Sequence, residues 1–373
     1  DWSSDVCSSD LTEVRMPNLD TFTSPCPYVN LGAALELTLN NGRMKIYGEE
    51  LLTIETGEVE DFCIWDDFWK AYIMQQEFLI KQAFKQQYIV TKVREKHFAA
   101  PFASSLHELC LRNYKDLHST HIDGGIDLGY FDFIGYGTVV DSLCAIKETV
   151  FEKNKMTLHE MCEVLDKNFE DNEDVRQRLM SSPKYGNNNP VADSMAKAID
   201  LEGVEFSHKY SKKIGFHMDL RYVPVTSHVA FGKVVGATPN GRKAGMNLSD
   251  GSSASHGADV KGPTAVLMSN YNSKNRGYHE RAARLLNIKL SPACVSGEEG
   301  THKLMSFIHG WCDLKLWHLQ FNVINQATLL AAKKDPEKYK DLLVRVAGYS
   351  AYFVDLSLEL QDDIIDRTQH SAI

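Results

Sequence analysis

Long stretches with helical spacing alternate with short runs rich in β-branched and aromatic residues along most of this chain, and that alternation constrains the fold more than any other feature. From Asp66 to Arg94 the apolar residues Phe68, Tyr72, Ile73, Phe78, Leu79, Ala83 and Phe84 recur with helical spacing, which predicts a long amphipathic helix. Val139 to Glu152 repeats the pattern. Thr157 and Glu160 form a capping box that opens another helix, and Asp335-Pro336-Glu337 marks a further helix start. Tyr28 to Asn40 reads as a helix or a buried strand running into the turn Asn40-Asn41-Gly42, while Ala265 to Met268 and Trp317 to Ile324 read as buried strands. Pro239-Asn240-Gly241 is a turn, and the serine-rich Gly251 to Gly257 is a loop. With no internal repeat and no long linker, these elements predict an α/β fold in one domain.

Composition narrows the function classes. The net charge of −10, from 40 basic and 50 acidic residues with no basic cluster, gives no electrostatic footprint for nucleic acid or for an anionic membrane, so a small-molecule substrate is expected. Eight cysteines are scattered without a CxxC pair, and the chain shows neither a long apolar span nor a basic-then-apolar leader; a reducing, cytoplasmic setting is expected. His118 and His121 could share a helical face, but no third ligand completes a metal pattern. Gly241, Gly245, Gly251 and Gly257 form no phosphate-cradling sequence. Residues 1 to 11, low in complexity and rich in Ser and Asp, resemble a translated sequencing adapter and are set aside from the fold reading.

One short string points to chemistry. Arg345-Val346-Ala347-Gly348-Tyr349 follows an apolar run, so its glycine could simply end a helix or turn a strand. Other stretches accompany it in order: Leu39-Asn40-Asn41-Gly42, Thr138-Val139-Val140-Asp141-Ser142-Leu143, Lys184-Tyr185-Gly186-Asn187, Ala237-Thr238-Pro239-Asn240-Gly241-Arg242, Lys261-Gly262-Pro263-Thr264-Ala265 and His318-Leu319-Gln320-Phe321-Asn322-Val323. Together, from about Thr12 onward, they resemble the C-terminal half of glycyl radical enzymes of the pyruvate formate-lyase superfamily, in particular its dehydratase and lyase branch.

The resemblance implies a ten-stranded β/α barrel of which this chain holds the C-terminal half, with the glycyl radical loop at about residues 340 to 355. It implies a radical on Gly348, installed after translation by a separate activating enzyme that uses S-adenosylmethionine and an iron–sulfur cluster; the chain itself shows no cluster-binding cysteine pattern and is expected to hold no other cofactor. Glycine suits the role because, without a Cβ, its radical centre can flatten between amide and carbonyl. In the family a cysteine in a Gly-Cys-x-Glu motif relays the radical to the substrate. The family spacing back from Asn30 lands on Leu11, and Thr12-Glu13 then matches the x-Glu of the motif, so the expected cysteine is missing and the chain as written is expected to be inactive.

Glu13 is then the candidate general base, taking a substrate hydroxyl proton so that the neighbouring carbon radical expels a leaving group. Ser24 and Tyr28 are candidate substrate contacts, and Arg345, with five N–H donors, is a candidate anchor of the radical loop. Cys26 reads as a structural thiol, and Gln320 and Asn322 as structural residues. The implied function is elimination of water, an amine or another group from a small hydroxylated substrate, by a homodimer when full length. Two alternatives stay open: a formate acetyltransferase, which uses paired cysteines not found here, and a spare part that restores the radical site of a damaged homologue.

Overall fold

The computed structural model describes residues 20–23, 26–274 and 283–373; Glu13 and Ser24 lie outside them. Strands β1 (Asp20–Thr23) and β2 (Tyr28–Asn30) both pair in parallel with β3 (Ile126–Ile134), which pairs in parallel with β4 (Met218–Arg221). A parallel bridge from Tyr222 to Arg284 carries the ladder on to β5 (Asn287–Leu290), which pairs with β6 (Gln320–Val323). The result is a run β2-β3-β4-β5-β6 of parallel strands, joined by long helical crossovers as parallel pairing demands.

Alternation along these strands separates two faces. Val29, Phe131, Phe133, Met218 and Leu220 point into the main apolar core, and Ile288 and Leu290 into a second cluster that Phe321 adjoins. The intervening residues are Tyr28 and Asn30, Tyr130 and Asp132, Asp219 and Arg221, Asn287 and Lys289, Gln320 and Asn322, so the opposite face is polar across all five strands.

Helices cover the apolar face. Trp65–His97 forms as its spacing predicts, burying Phe68, Tyr72, Ile80, Ala83 and Phe84, with Asp66 and Asp67 in its first turn and Arg94 and Lys96 in its last, where each charge opposes the helix dipole. Pro190–Ile214 starts at an Asn189 cap and stops at Gly215 in the left-handed region. It packs so close to β3 that a Cβ on Gly203 would come within 2.7 Å of the Phe133 ring.

Several local expectations are refined. Tyr28 to Asn40 is both of the predicted elements in succession, β2 followed by the helix Leu31–Leu39, and the following turn holds Asn41 and Gly42 at positive φ. The Val139 segment is the helix Tyr136–Ile146 continued by a π-helical stretch, Lys147–Glu152, and the Thr157 capping box forms. Ala265 to Met268 is not a strand: it lies inside the helix Pro263–Asn272, which Pro263 opens at its first position. Asp335-Pro336 opens only a single 3-10 turn, Pro336–Tyr339. Among the described residues no helix is long and apolar enough to cross a membrane.

Candidate functional site

The string around Gly348 forms a β-hairpin. Strands β7 (Leu343–Arg345) and β8 (Ser350–Tyr352) pair antiparallel, with Arg345 opposite Ser350, and Val346 to Tyr349 make the turn. Gly348 is buried and has φ +95°, a conformation that a Cβ disfavours. The side chains of Val344, Val346, Ala347 and Phe353 join Leu329 and Ile364 in a small apolar cluster, which seats one side of the hairpin by burial.

The other side rests on the polar face of β6. Gln320 Oε1 accepts the Gly348 N–H at 3.1 Å and Arg345 Nε at 2.9 Å. Asn322 grips the Arg345 backbone from both ends: its Oδ1 accepts the Arg345 N–H at 2.8 Å, and its Nδ2 donates to the Arg345 carbonyl at 2.6 Å. Gln320 is itself oriented by Asn287, which in turn donates to Asp250. Arg345 also reaches Ser350 Oγ at 3.2 Å. Gln320 and Asn322 are structural, as expected, and what they hold is the hairpin backbone, at Arg345 before the turn and at Gly348 within it. Their two-residue spacing was the signal, since on a strand it puts both side chains on one face.

His318, just upstream of β6, titrates at about 4, pushed down by burial and then by the neighbouring Arg345 charge, so it is neutral at pH 7.

At the opposite end of the strand run, Tyr28 projects from β2 beside a second polar group. Asp132 of β3 accepts a hydrogen bond from Cys26 Sγ at 2.9 Å and an ion-paired one from Arg221 Nη2 at 3.1 Å, and Arg221 also donates to Cys26 Sγ at 2.9 Å. The Arg221 guanidinium lies 4.2 Å from the Tyr130 ring centroid. Burial, then the Asp132 carboxylate, pushes the Tyr28 hydroxyl up to about 12 and raises the Cys26 thiol well above its ordinary range. Cys26 is thus held as a protonated donor, which agrees with reading it as structural. Tyr28 is partly exposed and meets Phe231 edge to face at 6.3 Å. The structure thus places Tyr28 at the β2 end of the polar face and Arg345 with Gly348 at the β6 end.

Four of the other sequence stretches come together elsewhere. Thr138 and Asp141, Lys184 and Asn187, Asn240 to Arg242, and Lys261 line one cavity of about 480 Å³. Their polar groups are spent on holding loops. Asp141 accepts the Tyr185 N–H at 2.8 Å and Ser255 Oγ at 2.7 Å, with burial pushing its carboxyl up to about 6, and Arg242 donates to the carbonyls of Gly232 and Gly236, each at 2.7 Å. Among the described residues no group of three or more His, Cys, Asp or Glu could hold a metal ion, and His118 is bound to the Phe98 carbonyl at 2.6 Å.

Comparison with known proteins gives this geometry a context. A model described as pyruvate formate lyase-like matches residues 9–232, and one described as glycine radical matches residues 248–354, a span that includes the whole hairpin. Isethionate sulfite-lyase of Oleidesulfovibrio alaskensis is 60% identical over 369 residues, covering 99% of this chain and 44% of that protein. Trans-4-hydroxy-L-proline dehydratase of Clostridioides difficile is 34% identical over 92% of this chain and 43% of its own. Among solved structures, a glycerol-bound glycerol dehydratase from Clostridium butyricum superimposes with a TM-score of 0.86 at 35% identity, over 92% of this chain and 43% of that one. The chain spans less than half the length of these relatives.

Proposed function

Because this chain belongs to the pyruvate formate lyase-like family of glycyl radical enzymes and shares their α/β barrel fold, we propose that it is the C-terminal part of a radical lyase acting on a small hydroxylated substrate, with Gly348 as the radical residue. The observation that carries this reading is the buried Gly348 at φ +95°, its N–H fixed by Gln320 on the polar face of the strand run. A separate activating enzyme generates the radical, and the whole protein acts as a homodimer.

Isethionate is the substrate to try first, since it names the relative at 60% identity. Hydrogen abstraction from the carbinol carbon, with Glu13 taking the hydroxyl proton, gives a ketyl radical that expels sulfite from the neighbouring carbon. A hydrogen returned from the thiol then leaves the aldehyde. In this scheme Tyr28 and Ser24 orient the substrate, Arg345 steadies the hairpin, and residues 1 to 11 stand where the thiol-bearing segment belongs.

The test is the full-length protein with a cysteine at position 11, activated without oxygen and offered isethionate, glycerol and trans-4-hydroxy-L-proline. Release of sulfite from isethionate, together with a doublet paramagnetic resonance signal that broadens on labelling glycine at Cα, is the expected result. A doublet with turnover of another substrate alone would overturn the isethionate assignment, and no doublet at all would overturn the radical reading.

A further inference from the structure

Gln320 fixes one end of the Val346-Ala347-Gly348 segment, and the other end is held by a residue far along the chain. Arg367 Nη1 donates to the Val346 carbonyl at 2.8 Å. This arginine follows the helix Leu358–Asp366, is 6% exposed, and pairs through Nη2 with Asp363 Oδ2 at 2.9 Å. Asp363 is fully buried and is also met by His228 Nε2 at 2.9 Å, His256 Nε2 at 3.3 Å and Asn247 Nδ2 at 3.3 Å.

The segment carrying Arg367 is itself fastened to the strand run on both sides. Lys289 of β5 donates to the carbonyls of Ile364 at 3.2 Å and Ile365 at 2.7 Å, placing an ammonium at the helix C-terminus. Beyond Arg367, strand β9 (Gln369–His370) pairs with the same β5, and Thr368 and His370 both meet Asp259. The segment that carries the guanidinium is thus tied to β5 independently of the hairpin.

We propose that Arg367, oriented by Asp363, is a positioning residue for hydrogen-atom exchange at Gly348; this rests on the radical reading above. The Val346 carbonyl is two residues from the radical carbon, so the guanidinium has no electronic part in the chemistry. Together with Gln320 it fixes both ends of a three-residue segment and so sets where the Gly348 Cα lies. The apolar contacts of Val346 and Ala347 are non-directional and do not specify that position as hydrogen bonds do. Exchange between Cα and the thiol requires the two atoms to lie within about 3–3.5 Å, and small misplacements of reacting groups carry large rate losses.

The experiment uses the activated full-length enzyme in deuterium oxide with no substrate. Each cycle moves hydrogen from the thiol to the Gly348 radical and back, and the thiol exchanges with solvent, so deuterium enters Cα and the doublet collapses to a singlet. Arg367→Gln is expected to keep its circular dichroism and accept the radical, but to collapse roughly tenfold more slowly or worse. Arg367→Lys, which keeps the charge and one donor, is expected to recover part of the rate. Equal rates in wild type and Arg367→Gln would overturn the proposal, as would slowing that lysine does not relieve. Should Arg367→Gln fail to fold or take up the radical, Asp363→Asn decides: slower collapse supports the proposal, and the wild-type rate overturns it. A wild-type protein that gives no doublet sinks the radical reading and this inference with it, whereas altered rates uphold the inference whichever substrate is turned over.

Discussion

The two faces of the strand run are built by different physics. Behind it, Phe131 and Phe133 meet edge to face at 5.8 Å and Phe133 meets Tyr222 at 6.0 Å, within a continuous aromatic and aliphatic core. In front, Gln320, Asn322, Asp132 and Arg221 each make specific hydrogen bonds to a named partner. Burial is proportional to area and forgiving of shape, so the apolar face sets whether the chain folds. Hydrogen bonds are directional and costly to leave unmade when buried, so the polar face sets where particular backbone atoms lie.

That division can be broken by substitutions on each face, all made in the full-length protein. The largest effect on function is expected from Gly348→Ala, which removes the radical carbon's special substitution pattern: the paramagnetic signal and turnover should vanish. Its stability should fall by only about 1–2 kcal/mol, the cost of a Cβ in the left-handed region, as denaturant unfolding would show. A signal that survives would mean that another residue carries the spin.

Phe133→Ala on the apolar face should behave the other way, losing about 3–5 kcal/mol of stability while turnover per radical stays near wild type. An intact melting profile with impaired turnover would contradict the division. Gln320→Leu keeps the volume but leaves the Gly348 N–H and Arg345 Nε without their acceptor, at about 1–3 kcal/mol for the buried Gly348 amide and less for the part-buried guanidinium. Hydrogen exchange at the Gly348 amide should accelerate while amides of the helix Trp65–His97 stay protected; uniform acceleration would show that the hairpin has no separate fastening.

The smallest effect concerns His318. Its folded-state titration lies at about 4, below the ordinary histidine value of 6.5, so between those pH values the unfolded chain binds more protons. Its contribution to stability is therefore complete above pH 6.5 and is lost as pH falls toward 4. The stability of wild type relative to His318→Gln should decline over that window, and a flat difference would count against a buried, neutral imidazole beside Arg345.

Legibility tracks the range of the interactions involved. The helix Trp65–His97 can be read from spacing, and the Thr157 box from residues three apart, because both depend on neighbours along the chain. Ala265 to Met268 misleads because a short apolar run fits a strand and a buried helix equally well; Gly262-Pro263 is the local clue to a helix start. The spacing of Gln320 and Asn322 shows only that they share a strand face; that Gln320 and Arg367 meet the turn cannot be read, since those partners lie 28 and 21 residues away.

What the sequence determined by itself was the α/β alternation, the local stops and starts, and a glycine in a string whose resemblance pointed to radical chemistry. Tertiary structure alone decided that this glycine sits buried at positive φ between Gln320 and Arg367, and that Arg221, Asp132 and Cys26 form one group beside Tyr28. Periodicity encodes which face of an element is buried, but which polar groups then meet depends on strand order and register, which arise only when distant segments pair.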